Sequence, residues 1–506
     1  MKSKFSKILS LILTVLVSCM IFSCTKPDDG SGTLEPTISF KTNPVMVQSS
    51  VGSYTVEVIS NATWTAVPQV DWIKDAKEGD EGNLIFNVDA NPQSVSRDGK
   101  IRFIFAGSDY TKDLIVRQAA KPSEFNVEPA EVILQVSGAE VNVNVTADYW
   151  DIKSVSENWL YAKKKNAATF TLSADVNFTD DARTASVVLT DGDTDLTIPV
   201  TQVRDDAYFK NASTEYTRRL VHDLGKVVTE VHEDRYVIVN DYLSYVYLSY
   251  NGPVIGADKP CAFFLYTLDL TGDLDLVVTC AKDDDASIKL VETEITDKDI
   301  MRQQYADLQR NRPEIKVLGG VNGDFFYGEE SKGKGNLLHG VMWRRGVCLK
   351  DEFTGGATCT VFARMKDGTA MVMSQEDYAE RKNDIWEAVG ARQRIMTNGN
   401  ILTVSDKALE PRTAVGVSQD GKTVYLLVYD GRRASWSNGA NYEMMGEIFR
   451  TVGAYNATNL DGGGSSTFTL VKDNVSGTEV DHYSVFNKPS DGDERKVVNG
   501  IAIIQK

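Results

Sequence analysis

Apolar and polar residues alternate with period two over much of residues 36–203. Tyr54-Thr55-Val56-Glu57-Val58 and Val141-Asn142-Val143-Asn144-Val145 are examples, and such alternation predicts half-buried antiparallel strands. The pattern also repeats, with a period of about 86 residues. Trp64 answers to Trp150, Trp72 to Trp159, Arg97 to Arg183 and Gln118 to Gln202. Each copy has a strand led by the arginine and closes on an alternating strand that ends at the glutamine. Short strands at this spacing predict a small β-sandwich in each copy, over 36–120 and 121–203. The tryptophans recur at fixed places within an alternating pattern, which assigns them to the cores and not to exposed ligand platforms.

Beyond a short polar linker, 204–213, the pattern changes to a mixture of strands and helices. Strands are predicted at 236–248, 261–268, 274–280, 315–321, 358–365, 369–373, 414–417, 424–429 and 497–504. The segment from Asp297 to Asn311 lacks Pro and Gly and is rich in helix formers, so it predicts a helix ended by Pro313. A second helix is predicted from Tyr442 to Ala454.

The two repeats resemble BACON domains, an immunoglobulin-like family of bacterial surface proteins, in their paired tryptophans and closing glutamines. That resemblance implies carbohydrate or mucin binding, or a spacer role. The expected fold is multidomain: two all-β immunoglobulin-like sandwiches followed by a mixed α+β catalytic domain over 214–506.

The N-terminus adds an expected location. Lys2, Lys4 and Lys7 precede an apolar run from Ile8 to Phe22, too short for a comfortable membrane span and readable as a signal peptide over 1–23. The run stops at Ser23-Cys24, which resembles a bacterial lipobox, so Cys24 is the expected lipidation site and 24–35 a tether. The expected location is the bacterial cell envelope, at the outer membrane or cell surface. A net charge of −17 argues against nucleic acid as a partner. Cys261, Cys280, Cys348 and Cys359 are too few for a disulfide scaffold, and spacing does not say whether any pair is bridged. With four histidines and no Cys-x-x-Cys, no metal or other cofactor is expected; the run Asp283-Asp284-Asp285 reads as a solvated turn.

Chemistry concentrates in four segments at strand ends of the last domain. They are Gly319-Gly320-Val321-Asn322-Gly323-Asp324-Phe325-Phe326, Pro411-Arg412-Thr413-Ala414-Val415-Gly416, Tyr429-Asp430-Gly431-Arg432 and Asn459-Leu460-Asp461-Gly462-Gly463-Gly464-Ser465-Ser466-Thr467. Three successive glycines expose backbone N–H groups between an acid and several hydroxyls, a composition suited to an anionic, polyhydroxylated ligand such as a sugar phosphate. Each segment alone has a plainer account as a turn.

Together, in this order and with Arg495 and Asn499 following, they resemble the phosphodiester glycosidase family over about residues 215–506. The resemblance implies hydrolysis of a sugar-1-phosphodiester bond. Arginine pairs with phosphate through parallel donors, which nominates Arg412 first, Arg432 second and Arg495 third as the phosphate clamp. Gly462, Gly463 and Gly464 would offer amides, with Gly323 and Thr413 in the same motifs. Asn322, Asn459, Ser465, Ser466 and Asn499 would bind substrate groups. Cleavage at an anomeric carbon needs a carboxylate nucleophile or an activated water. Asp324 and Asp461 are the two candidates in glycine-flanked positions, Asp430 is a third, and His339 departs from the family pattern as a possible proton carrier. The alternatives are a non-catalytic lipoprotein that binds a glycan or sugar phosphate, and an exopolysaccharide-remodelling protein.

Overall fold

The computed structural model describes residues 35–121, 124–254, 257–289, 294–328 and 335–506. Cys24 and its tether lie outside the described residues. No helix among the described residues is long and apolar enough to cross a membrane.

The chain is mostly β, and each N-terminal repeat packs two small sheets around one core, the first with an added two-stranded ladder of Ile38–Phe40 and Val58–Ser60. In the first, Val45–Val47, Thr111–Gln118, Arg97–Phe105 and Trp64–Pro68 form one sheet, and Gly52–Val56, Leu84–Val88 and Ile73–Glu78 another. Trp64, Leu84, Phe86, Ile101 and Phe103 are buried between them. In the second, Val132–Leu134, Asp195–Gln202, Arg183–Thr190 and Asp151–Val155 face Asn126–Glu128, Val141–Thr146, Thr169–Ala174 and Leu160–Asn166 across Trp150, Phe170, Leu172 and Ile198.

The repeated residues form the same clamp twice. Arg97 Nε donates to Gln118 Oε1 at 2.8 Å with its guanidinium 4.5 Å from the Trp72 ring centre. Arg183 Nε donates to Gln202 Oε1 at 2.8 Å and lies 4.2 Å from Trp159. Trp64 and Trp150 are thus the fully buried members, while Trp72 and Trp159 are half-buried beneath arginines.

Residues 204–213 are not an open polar linker. Phe209 and Ala212 are buried in the same core as Val136 of the second repeat and Leu220 of the next helix. Arg218 of that helix is fully buried, donating to the Phe178 carbonyl at 2.7 Å and pairing with Asp180 at 2.6 Å. These contacts dock the second repeat onto the C-terminal part.

That C-terminal part is more heavily β than the sequence pattern indicates. A twelve-stranded sheet runs from Glu230–Asn240 through Leu243–Val254, Ala257–Asp269, Thr423–Tyr429, Arg412–Val417 and Asn456–Asn459 to Ile385–Thr397 and beyond. A five-stranded sheet orders Leu274–Cys280, Asn499–Gln505, Lys316–Asn322, Phe468–Val471 and Tyr483–Val485. Phe264, Leu426, Leu276, Val321 and Ile501 form a shared core between the two sheets. Helices Glu215–Leu224 and Tyr442–Thr451 cover the outer face of the large sheet, and Met301–Asn311 covers that of the small one.

The predicted strand at 236–248 is a hairpin that reverses after Asn240, whose side chain accepts the Tyr242 N–H at 2.9 Å. The acidic run at 283–285 is not a solvated turn. Asp283 is 8% exposed and ion-paired to the fully buried Arg344, and Asp285 pairs with Arg344 and with Arg345, the latter at 3.0 Å. Cys261, Cys280, Cys348 and Cys359 are free thiols.

Candidate active site

The first and fourth motifs meet past the ends of one inner strand of each sheet. Strand Lys316–Asn322 belongs to the small sheet and Asn456–Asn459 to the large one. Past their ends the Asp461 N–H donates to the Gly323 carbonyl at 2.9 Å, and Asn322 Nδ2 donates to the Asp461 carbonyl at 2.7 Å. Asn322 Oδ1 accepts from Thr413 Oγ1 at 2.7 Å and from the Thr467 N–H at 3.1 Å. Asn499 Oδ1 accepts the Asp324 N–H at 2.8 Å. Asn322, Thr413 and Asn499 are all 0% exposed. Their polar groups are consumed internally, so they hold the two loops together; the expectation that they contact substrate is corrected.

Asp324 and Asp461 are the pair these bonds bring together. Asp324 is 2% exposed; its Oδ2 accepts the Gly340 N–H at 2.7 Å and its Oδ1 has no protein partner among the described residues. Burial pushes its carboxyl up to about 7, and the nearby Asp461 charge adds to that, against the Gly340 hydrogen bond and the Lys350 charge. Asp461 is partly open, and its Oδ1 accepts the Gly462 N–H at 2.9 Å. Desolvation holds it up at about 6, offset by Ser465, the Gly462 amide and Arg495. Neighbouring carboxyls with separated titrations are the signature of an acid–base pair.

Lys350 had no sequence signal. It lies at the end of strand Val347–Lys350, is 4% exposed, and donates to the Gly340 carbonyl at 2.9 Å. Gly340 is therefore held from both sides, its N–H by Asp324 and its carbonyl by Lys350. Burial lowers the lysine's pKa, and Asp324 opposes that.

The glycine loop is contacted by two of the three nominated arginines. Gly463 has φ +61°, a conformation glycine adopts freely, and its N–H is held by the Pro411 carbonyl at 2.8 Å. A Cβ there would stand 3.3 Å from Arg432 Nη1. Arg432 Nε donates to Glu410 at 2.6 Å, and the side chain is half exposed. Arg495 donates to Asp491 at 2.6 Å and approaches Ser465 Oγ at 3.4 Å. A Cβ on Gly464 would fall 2.2 Å from Arg495 Nη2, so only glycine lets that guanidinium reach the loop. Asn459 Oδ1 and Ser466 Oγ are buried without a partner among the described residues.

Two nominations fail on geometry. Arg412 stands next to Thr413 on a strand, so the two side chains point to opposite faces. Thr413 faces Asn322, and Arg412 is turned to the outer face, 4.4 Å from the Tyr442 ring centre, with Nη1 donating to Tyr442 Oη at 2.9 Å. It is a packing residue and not the phosphate clamp. Asp430 is 1% exposed and both its carboxylate oxygens are occupied: Asn487 Nδ2 at 2.9 Å, Trp436 Nε1 at 2.8 Å and the Lys488 N–H at 2.8 Å. It braces the segment behind the glycine loop, with both oxygens engaged in holding that segment.

His339 lies on the flank. Its ring stacks on Phe325 at 5.9 Å, meets Tyr327 at 4.3 Å, and has Nδ1 3.4 Å from Arg392 Nη1. Arg392, which the sequence reading did not nominate, sits 5.6 Å over Phe325.

These placements give two expected results. Arg432→Ala removes a charged donor beside the loop and is expected to lower kcat/KM by between about 10- and 100-fold with Tm unchanged. Arg412→Ala is expected to cost about 1–3 kcal/mol of stability, seen as a lower melting temperature, while the folded fraction keeps its activity. The opposite assignment of the two effects would restore Arg412 as the clamp.

A mostly β domain that presents two raised carboxyls beside a glycine-rich, arginine-flanked loop has the makings of a site for an anionic sugar derivative. Residues 316–504 match the phosphodiester glycosidase family, and residues 62–119 and 148–203 match the BACON family, described as an N-terminal binding domain. Both resemblances read from the motifs are therefore borne out. Among curated proteins, the chain is similar to the N-acetylglucosamine-1-phosphodiester alpha-N-acetylglucosaminidases of Bos taurus, 29% identical over 169 residues, and Mus musculus, 28% identical over 137 residues. These alignments cover 29% and 23% of this chain, and the chain spans only 30% and 26% of those relatives. Among solved structures, the zebrafish N-acetylglucosamine-1-phosphodiester alpha-N-acetylglucosaminidase catalytic domain, auto-inhibited by its pro-peptide, is similar with 18% identity and a TM-score of 0.40, covering 55% of this chain and 89% of that one.

Proposed function

We propose that this chain is a cell-envelope lipoprotein that hydrolyses glycosyl phosphodiesters, releasing a sugar from a phosphate at its anomeric carbon. The observation that carries this reading is the pairing of Asp324 and Asp461, with carboxyls raised to about 7 and about 6, beside the Gly462–Gly464 loop. In this reading Arg432 and Arg495 receive the phosphate beside the loop, whose Gly462 and Gly463 amides are already taken by Asp461 and by the Pro411 carbonyl, contrary to the expectation that they are open to it. The phosphate monoester is a good leaving group and needs little protonation. Asp461, the more acidic and more open carboxyl, is ionised first and acts at the anomeric carbon, either directly or through a water. Asp324, closed off behind it, holds the pair's remaining proton and keeps the site at a single negative charge. The two N-terminal repeats, with a lipid on Cys24, would place this chemistry near a glycan surface.

The test is incubation with a panel of glycosyl phosphodiesters, beginning with a nitrophenyl N-acetylglucosaminyl phosphodiester. Turnover is expected, with a bell-shaped kcat/KM. The pair works with one proton, so activity rises as Asp461 ionises near pH 6 and falls as Asp324 ionises near pH 7. Tight binding across the panel without cleavage would instead support a sugar-phosphate binder.

A further inference from the structure

Behind the glycine loop lies a basic cleft of about 460 Å³ lined by Arg302, Arg433, Lys472 and Lys488, with Asp493 and Glu494 as its acids. Its charge runs against that of the chain as a whole, −17. Glu494 is already spent: it accepts Arg302 Nε at 2.8 Å and the Arg302 N–H at 3.1 Å. Arg433 is held by the Pro489 carbonyl at 2.8 Å, and Lys488 Nζ sits 3.2 Å over the Trp436 ring centre. Among the described residues, Arg433, Lys472 and Lys488 have no ion pair within 4.0 Å, although Arg433 acts at longer range on the buried Asp430, and the cleft's four cations outnumber its two lining acids. Lys472 and Lys488 are exposed.

The cleft shares a wall with the proposed phosphate site. Asn487 lines the cleft and donates through Nδ2 to the Ser466 carbonyl at 3.0 Å. Gly492 and Asp493 line it too, directly after Asp491, which holds Arg495 against the loop. Arg432 and Arg433 are consecutive, one over Gly463 and the other in the cleft. Cations on both sides of one wall suit a ligand with anionic groups on both sides of it.

We infer that the cleft is a second anion subsite, taking a further phosphate on the leaving-group side, and that the substrate is a polymer or oligomer carrying successive phosphodiesters. This deepens the proposed function and rests on it. A lone glycosyl phosphodiester would leave Arg433, Lys472 and Lys488 unused. A chain with a second phosphate would engage them.

The test compares two synthetic substrates, identical at the scissile bond, one bearing a neutral leaving-group tail and one bearing a terminal second phosphate. Wild-type kcat/KM is expected to be about tenfold higher for the second, with the advantage shrinking as NaCl rises from about 50 to 300 mM. Lys472→Ala combined with Lys488→Ala should erase the advantage and leave the rate on the neutral-tailed compound within twofold. No advantage in the wild type, or an advantage that survives both substitutions, overturns the inference. If neither compound is cleaved, the hydrolase reading falls and the cleft is judged by calorimetry with inorganic tripolyphosphate. Binding weakened about tenfold by the double substitution then supports the subsite, and unchanged or absent binding overturns it.

Discussion

Asp461→Asn is expected to lower kcat on a glycosyl phosphodiester by about 10³-fold or more, and Asp324→Asn, a neutral stand-in for the protonated carboxyl, by no more than about tenfold. The double variant should be little worse than Asp461→Asn alone, because groups that share one proton act as a unit. The pH profile separates their roles. Residual activity in Asp324→Asn should lose the alkaline limb near pH 7 and keep the acid limb near pH 6. Stability supplies the fold control, with a definite sign. The Asp324 carboxyl is raised in the folded state above its ordinary value, so its contribution to stability is fully present below the unfolded carboxylate range and lost as pH rises through about 7. Asparagine does not titrate and keeps an acceptor for the Gly340 N–H. Asp324→Asn should therefore melt at or above the wild-type temperature at pH 8, and the difference should narrow at pH 4.5. An Asp324→Asn protein that keeps the alkaline limb, or one that is destabilised at pH 8, would contradict the burial argument.

Much of this arrangement was legible in the residues because it rests on short, local wording. The doubled Trp, Arg and Gln positions announced the repeats, and the structure spends them on the same arginine-over-tryptophan clamp in each. Asp324 and Asp461 were legible because each stands next to a glycine, Gly323 and Gly462, at a strand end within a motif. Arg412 was misread because one residue of strand parity decides which face a side chain serves, and the motif does not state the parity. Asp430 was misread because its partners, Trp436, Asn487 and Lys488, come from loops that only the fold brings together. Lys350 gave no signal, since a lysine ending a hairpin strand normally faces water. Helix Glu215–Leu224 was passed over although Thr214 caps it, its Oγ1 accepting the Thr217 N–H at 3.1 Å. Strand Ile385–Thr397, a long neighbour of the site, is hidden in the sequence by Glu387, Arg392 and Arg394, of which Glu387 is buried and accepts the Val278 and Arg345 N–H groups.

Gly390→Ala is expected to damage stability and turnover together, costing about 1–3 kcal/mol or more and at least about 10²-fold in kcat. Gly390 lies on that long strand, with its N–H held by the Val341 carbonyl at 2.8 Å. A Cβ there would stand 2.4 Å from Asp324 Oδ2 and 2.5 Å from the Gly340 Cα, well inside contact distance. Neither neighbour can retreat cheaply. Asp324 is fixed through Gly340 at 2.7 Å and through Asn499 at 2.8 Å, and the Gly340 carbonyl is fixed by Lys350 at 2.9 Å. The added methyl must therefore either part the backbone of two elements or turn the carboxylate away from its amide. The first outcome appears as a lower melting temperature, the second as lost turnover together with a displaced alkaline limb in the pH profile. Gly328→Ala is the matched control: nothing lies within 4 Å of a Cβ at that position, and stability should stay within about 0.5 kcal/mol of wild type. If Gly390→Ala behaves like Gly328→Ala, the close seating of Asp324 between two glycines is wrong, and with it the reason its carboxyl titrates near neutrality.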